Sequence, residues 1–193
     1  MKKREICLSE KIKMLIFFKR GRTVLLAVSF ILAISSAIAK KPLELPVDPI
    51  PLEIQTKQGT ISYKVEIAFT QSQGVAGLMY RTDFPRDRAM LFRQHGNREL
   101  KDKQQFFMWM ANTPLPLDMI FLNAEGIIVS IVERTSPFST DIISSGVPAT
   151  FALEVNAGEV SEKQIKKGQR VIHPAICGKC DGDKNDSGEY SFF

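Results

Sequence analysis

The sequence predicts an α+β fold that is predominantly β: a single compact barrel-like domain of short, mostly antiparallel strands with two short helices. Three observations carry this expectation. Apolar or alternating runs of strand length recur from Leu52 to Ile172, with turn residues such as Gly59 and Gly126 between them. Only two stretches have helical spacing. The strands also lack the regular alternation with helices that a parallel α/β sheet requires. At 193 residues, a chain that loses a leader can build one core but not two ordinary domains.

The chain opens on a segment outside that fold. Lys19, Arg20 and Arg22 precede an apolar run, Val24 to Ile34, broken only by Ser29, and Ser35-Ser36-Ala37-Ile38-Ala39 follows. A basic cluster, an apolar stretch and small residues at the two positions read by a signal peptidase predict a secretory leader over 1–39, cleaved after Ala39. The apolar run is shorter than the ~20 residues of a spanning helix, so no membrane span is expected after cleavage. Retention as an N-terminal anchor is the alternative, and Met14 is an alternative start to Met1. A periplasmic or secreted location follows. The leader also carries the basic excess. Of 26 Lys and Arg and 21 Asp and Glu, eight and two lie in residues 1–39, leaving a net charge of −1. Nucleic acid is therefore not an expected partner.

Residues 40–51 carry Pro42, Pro46, Pro49 and Pro51 and read as an extended linker. The domain proper is expected over 52–174. Leu52 to Thr56 and Ile61 to Phe69 alternate around Lys57-Gln58-Gly59 as a hairpin. Thr70 or Ser72 would cap a helix to Tyr80 whose stripe of Val75, Leu78 and Met79 faces the sheet. Ala89 to Phe92 reads as a short strand and Arg93 to Lys103 as a polar loop. Ile127 to Val132 is a β-branched strand, while Glu133 to Pro148, rich in Ser, Thr and Pro, reads as mostly irregular. Thr150 to Val155 is a further strand. Ser161 would cap a second helix to Lys167, and Arg170 to Ile172 closes the set. The 175–193 stretch, with its Cys-x-x-Cys, reads as a disordered tail.

The chain is organised around Phe106 to Asn123, which holds the only Trp. Two apolar runs flank a stiff segment containing Pro114 and Pro116, neither of which can donate to a ladder. In the first run both faces are apolar, so a strand buried on two sides is expected. In the second, Asp118 shares a face with Ile120 and Leu122.

These residues also carry a resemblance. Trp109-Met110-x-Asn112-Thr113-x-x-Pro116-Leu117-Asp118-Met119-Ile120-Phe121 resembles the signature of the DUF192 family, a bacterial and archaeal domain of unknown function. Gly77-Leu78-Met79-x-Arg81, Met90-Leu91-Phe92 and Leu153-Glu154-x-x-Ala157-Gly158 fit it in the same order, over roughly Glu53 to Val171 on the usual scale of a domain. Ala89 stands where the family usually has Gly. Ala111 stands where it often has Lys, which removes a positive charge from beside the Trp. The resemblance implies a compact β-rich domain and supplies no chemistry.

Candidate chemistry therefore comes from the residues. Asp118, at a strand end, would serve as a general acid or base or orient a ligand hydroxyl. Alternatively it accepts hydrogen bonds from Asn112 and Thr113 and closes the Pro-x-Pro corner. Arg81 is its candidate partner. Trp109 and Asn112 would form a platform and an amide for a small ligand, although a Trp in an apolar strand is more often core. His95, Met108 and Met110 form a soft-ligand set for Cu(I), to which Met79, Met90 and Met119 would add, but methionines are also routine core fillers. Cys177 and Cys180 are a disulfide candidate in an oxidising compartment. With His173 they fall one ligand short of a structural zinc site. No nucleophile elbow, phosphate-binding glycine loop, His-Glu-x-x-His or dinucleotide fingerprint is present, and no cofactor is expected.

The function expected on these grounds is an exported cell-envelope protein, a binding or accessory module for a small molecule or envelope protein, with a pocket edge at Trp109, Asn112 and Asp118. The alternatives are a carboxylate enzyme using Asp118 with Arg81, and a methionine-rich Cu(I) protein.

Overall fold

A computed structural model describes residues 41–95 and 103–178. The expected leader, most of the polar loop after His95, and Cys180 with the rest of the tail lie outside the described residues. β1 (Leu52–Thr56) and β2 (Gly59–Ala68) form the expected hairpin, in register from Leu52 opposite Tyr63 to Thr56 opposite Gly59. The second half of β2 runs parallel to β3 (Arg88–Arg93), and the connection between them carries α1 (Gln71–Ala76). β4 (Gln105–Met108), β5 (Leu117–Leu122), β6 (Ile128–Val132), β7 (Ile143–Pro148) and β8 (Phe151–Asn156) follow. The chain then passes through α2 (Glu159–Glu162), β9 (Arg170–Ile172) and α3 (Pro174–Cys177).

Seven strands form one sheet in the order β6-β5-β8-β3-β2-β1-β9, antiparallel except for β2 with β3. A bridge between Ile127 and Arg170 brings its two edges together, so the barrel is nearly closed. β4 and β7 pair separately as a two-stranded arm. The predominantly β, barrel-like expectation holds.

The period-two alternation of the strands sorts their side chains into two clusters. Leu52, Ile54, Val65, Leu91, Ile120, Ile128, Leu153, Val155 and Val171 belong to one. It draws on all seven strands and so fills the barrel. Ala68, Met90, Phe92, Leu117, Met119, Phe121 and Ala152 point the other way, where Leu78 and Phe84 of the β2–β3 connection and Phe106 of the arm cover them. Each buried Leu, Ile or Phe contributes roughly 1.5–3 kcal/mol of burial free energy, so both clusters are substantial.

Several local expectations are corrected. The run from Phe106 to Ala111 is not a strand buried on two sides: β4 ends at Met108, with Phe107 59% and Trp109 44% exposed. The arm is a separate sheet with one covered face, and Asn112, at φ 57°, turns the chain before β5. The stretch read as irregular supplies β7. Its Ser145 accepts a hydrogen bond from Phe106 N (2.9 Å), so a polar residue fills a position where periodicity looks for an apolar one.

Helix limits also differ. Thr70 and Gln73 form a reciprocal capping box on α1, but the helix stops at Gly77 (φ 42°) and not at Tyr80, leaving Val75 exposed and Leu78 facing the sheet. Ser161 caps nothing. Gly158 begins α2 in the left-handed conformation without a side-chain cap, and the Ser161 hydroxyl donates back to its carbonyl (3.1 Å). A third helical turn, α3, extends past residue 174, where the Cys-x-x-Cys tail was expected to begin. His173 Nδ1 accepts from Ala175 N (3.1 Å), Pro174 follows the cap, and Ile176 is buried. Residues 43–48 of the proline-rich lead-in are held to the domain: Val47 bridges Glu66, Asp48 N donates to Val65 O (2.8 Å), and Arg81 Nε donates to Leu43 O (2.8 Å).

Candidate functional site

β8 is apolar except for Glu154 and its last residue, Asn156. Phe151, Leu153 and Val155 point into the barrel, and Ala152 and Glu154 point outward. Glu154 lies opposite Met90 of β3 and Met119 of β5, so its cross-strand neighbours offer no charge. Above it, α1 and the turn through Leu78 and Met79 form one wall of a cavity of about 340 Å³, and the arm residues Phe106, Met108 and Trp109 form another. Phe92 lines its inner side. Val75, Phe107, Trp109 and Ile142 line it while remaining exposed, so the mouth has an apolar rim.

Glu154 is 4% exposed, and its Oε2 has no hydrogen-bond partner. Burial alone pushes its carboxyl up to about 8. At neutral pH the floor of the cavity thus presents an uncharged carboxylic acid, a group that can donate one hydrogen bond and accept others. Among the described residues the cavity has two further titratable groups. Arg93 stacks its guanidinium on Phe69 (4.5 Å), and His95 stands beside Gly74, where an added Cβ would lie 3.7 Å from its Nε2.

The residues singled out in sequence separate into two groups. Trp109 lines the cavity, and Asn112 adjoins it through an Nδ2 contact to Met79 Sδ (3.9 Å). Asp118 does not line it. That acid is fully buried on the barrel side of β5, where Oδ1 accepts from Arg134 N (2.8 Å) and Oδ2 from Val160 N (2.9 Å). It thereby fastens the chain after β6 and the first turn of α2 to the sheet, and Asn112 and Thr113 are not its donors. Arg81 does not meet it either. The guanidinium forms a two-bond fork with Glu66 (2.9 and 2.6 Å), buried on the outer face of β2.

Of the copper set, His95 and Met108 line the cavity. Met110 is buried and accepts from Thr135 Oγ1 at 3.2 Å. Among the described residues no three His, Cys, Asp or Glu side chains cluster as a metal site. Cys177 is disulfide-bonded.

Glu154 entered the sequence reading only as part of the Leu153-Glu154-x-x-Ala157-Gly158 resemblance and not as a candidate site residue. Its signal was present as a lone acid inside the apolar run Phe-Ala-Leu-Glu-Val, but an acid in such a run does not by itself point to a chemistry. A second polar cluster serves the fold. Tyr63 donates to Glu159 Oε2 (2.7 Å), which Lys163 Nζ also reaches (2.6 Å). Burial, with Glu159 adding to it, pushes the Tyr63 phenol above its ordinary range, so it stays a donor.

Fold and cavity together define a nearly closed β-barrel domain with a lateral apolar pocket, floored by one acid and roofed by a short helix. The chain belongs to the DUF192 family, described as an uncharacterized ACR, whose model matches residues 53–173. A Sinorhizobium meliloti 1021 crystal structure, described as a "putative transcription regulator", is 36% identical, covering 67% of this chain and 97% of its own, with a TM-score of 0.60. A Novosphingobium aromaticivorans DSM 12444 protein of unknown function shares the fold at 24% identity, covering 72% of this chain and 99% of its own (TM-score 0.59). No curated protein matches.

Proposed function

We propose that this chain is an exported small-molecule-binding module of the cell envelope, with the cavity above Glu154 as its binding site. One observation carries the reading: a buried carboxyl oxygen without a partner at the floor of an apolar cavity that opens to solvent. Leaving a buried polar group unpaired costs about 1–3 kcal/mol, and a ligand that bonds to it recovers that cost. Apolar walls with few polar groups are the usual composition of small-ligand sites. The exposed Phe107, Trp109 and Ile142 at the mouth extend the apolar surface a ligand would cover. Export is supported by the leader pattern of residues 19–39 and by the disulfide-bonded Cys177, which fits an oxidising compartment.

A neutral fluorophore, N-phenyl-1-naphthylamine, tests the site, since Trp109 at the rim would transfer energy to it. The expected result is saturable binding of one molecule per chain, weakened at least tenfold by Phe107→Asp. Adsorption that never saturates, or that Phe107→Asp leaves unchanged, would overturn the reading. N-terminal sequencing of protein recovered from its native compartment should begin at Lys40. A sequence still running through Val24 would place the protein on a membrane anchor.

A further inference from the structure

We infer that the cavity selects an uncharged ring compound carrying a hydrogen-bond acceptor, a carbonyl oxygen or ring nitrogen, which the Glu154 carboxylic acid holds at the floor. This rests on the reading of the cavity as a ligand site. Three features narrow the ligand class. The first is the charge inventory. Glu154, Arg93 and His95 are the titratable groups lining the cavity among the described residues; Arg93 stacks on the Phe69 ring, and the cross-strand neighbours of the acid, Met90 and Met119, carry no charge. An anionic ligand at the carboxyl would find no counter-charge on either neighbouring strand position.

The second feature is the state of the acid. Burial holds the carboxyl neutral at pH 7, and the described lining has no second carboxylate to help neutralise an ammonium. Binding a cation would require ionising this group in an apolar wall, which desolvation opposes. A neutral acid instead offers a proton to an acceptor. The third feature is the shape of the walls. Phe92, Phe106 and Trp109 present flat aromatic surfaces, and Met79 and Met108 supply adaptable thioethers, a lining that suits a planar ring.

Four matched compounds separate the possibilities: 2-acetylnaphthalene, 2-ethylnaphthalene, 2-naphthoate and 2-naphthylmethylammonium. Each is titrated calorimetrically into the intact protein at pH 6.5 and 9.5, with the Trp109 indole N–H resonance as reporter of site. At pH 6.5 the acetyl compound should bind at least tenfold more tightly than the ethyl compound and than either ion. At pH 9.5, with Glu154 ionised, that preference should vanish. Glu154→Leu should abolish the preference while leaving the ethyl compound bound. Glu154→Gln, which keeps a donor without a titrating group, should hold the preference at both pH values and so exclude His95 as its source. Tightest binding of the ammonium or the naphthoate, or equal binding of acetyl and ethyl compounds at pH 6.5, would overturn the inference while the cavity remained a ligand site. Failure of all four to bind or to shift Trp109 would overturn both readings.

Discussion

Two buried acids on opposite faces of neighbouring strands differ in how their oxygens are satisfied. Asp118 has both oxygens filled by main-chain N–H groups, whereas Glu154 Oε2 has no partner. Asp118→Asn places an N–H₂ against a donor and should destabilise the fold by about 1–3 kcal/mol, read as a lowered denaturation midpoint. Ile120→Ala on the same face of β5 should cost roughly 2–5 kcal/mol, as a buried aliphatic truncation. An Asp118→Asn protein as stable as the parent would return that acid to the list of candidate site residues. Glu154 predicts the opposite sign. Its folded carboxyl titrates near 8, above the ordinary 4.5, so the native state holds more protons than the unfolded chain between those values. The stability linked to this group is fully present below about pH 4.5 and falls as pH rises through about 8. Glu154→Gln removes the titration, so the variant should melt several degrees above the parent at pH 9 and near it at pH 5. Parallel melting curves for the two proteins across that range would show that Glu154 is not buried as a neutral acid.

At the level of elements, the roof of the cavity depends on the β2–β3 connection and on its tie to the lead-in. Arg81 forks onto Glu66 and donates to Leu43 O, joining the turn after α1, strand β2 and the proline-rich segment. Arg81→Met would leave the buried Glu66 carboxylate only Leu45 N (3.4 Å) and the more distant Arg88 guanidinium (3.9 Å), and should cost roughly 3–5 kcal/mol. Adding Glu66→Leu should recover most of the loss, since a buried ion pair often adds little over apolar packing. No recovery in the double variant would mean that the tie to Leu43, and not the unpaired charge, dominates. The sequence made α1 legible because its capping box is a local signal. β7 was not legible because it pairs with β4 past the intervening strands β5 and β6 and uses Ser145, not an apolar residue, to hold its partner. The cavity was half legible. Trp109 and Asn112 stood out by type, but whether Trp109 faces core or solvent depends on a separate two-stranded sheet that periodicity does not reveal. Glu154 acquires its meaning only from Met90 and Met119, which the sheet brings from distant positions.

At the scale of the whole molecule, the sheet order places the site away from the weakest closure of the barrel. β3 and β8, which carry Phe92 and Glu154, are internal strands, while the seam joins the two edge strands β6 and β9. That seam is thin: one bridge between Ile127 and Arg170, with hydrogen bonds from Val171 N to Gly126 O (2.8 Å), from Ile128 N to Gln169 O (2.9 Å) and from Gly168 N to Ile128 O (2.8 Å). Gly126 permits it. At φ 78° it occupies the left-handed region, and an added Cβ would stand 2.5 Å from Val171 O. Gly126→Ala must therefore push β9 outward, and the combined backbone strain and lost edge pairing should lower the melting temperature by several degrees. Amide hydrogen exchange at Gly126, Ile128 and Val171 should accelerate, while Leu91, Leu153 and Glu154 keep their protection. Affinity for N-phenyl-1-naphthylamine, measured well below the melting point, should stay within about twofold of the parent, because the cavity wall is not part of the seam. A loss of affinity that tracks the loss of stability would show that barrel closure and the cavity form one cooperative unit.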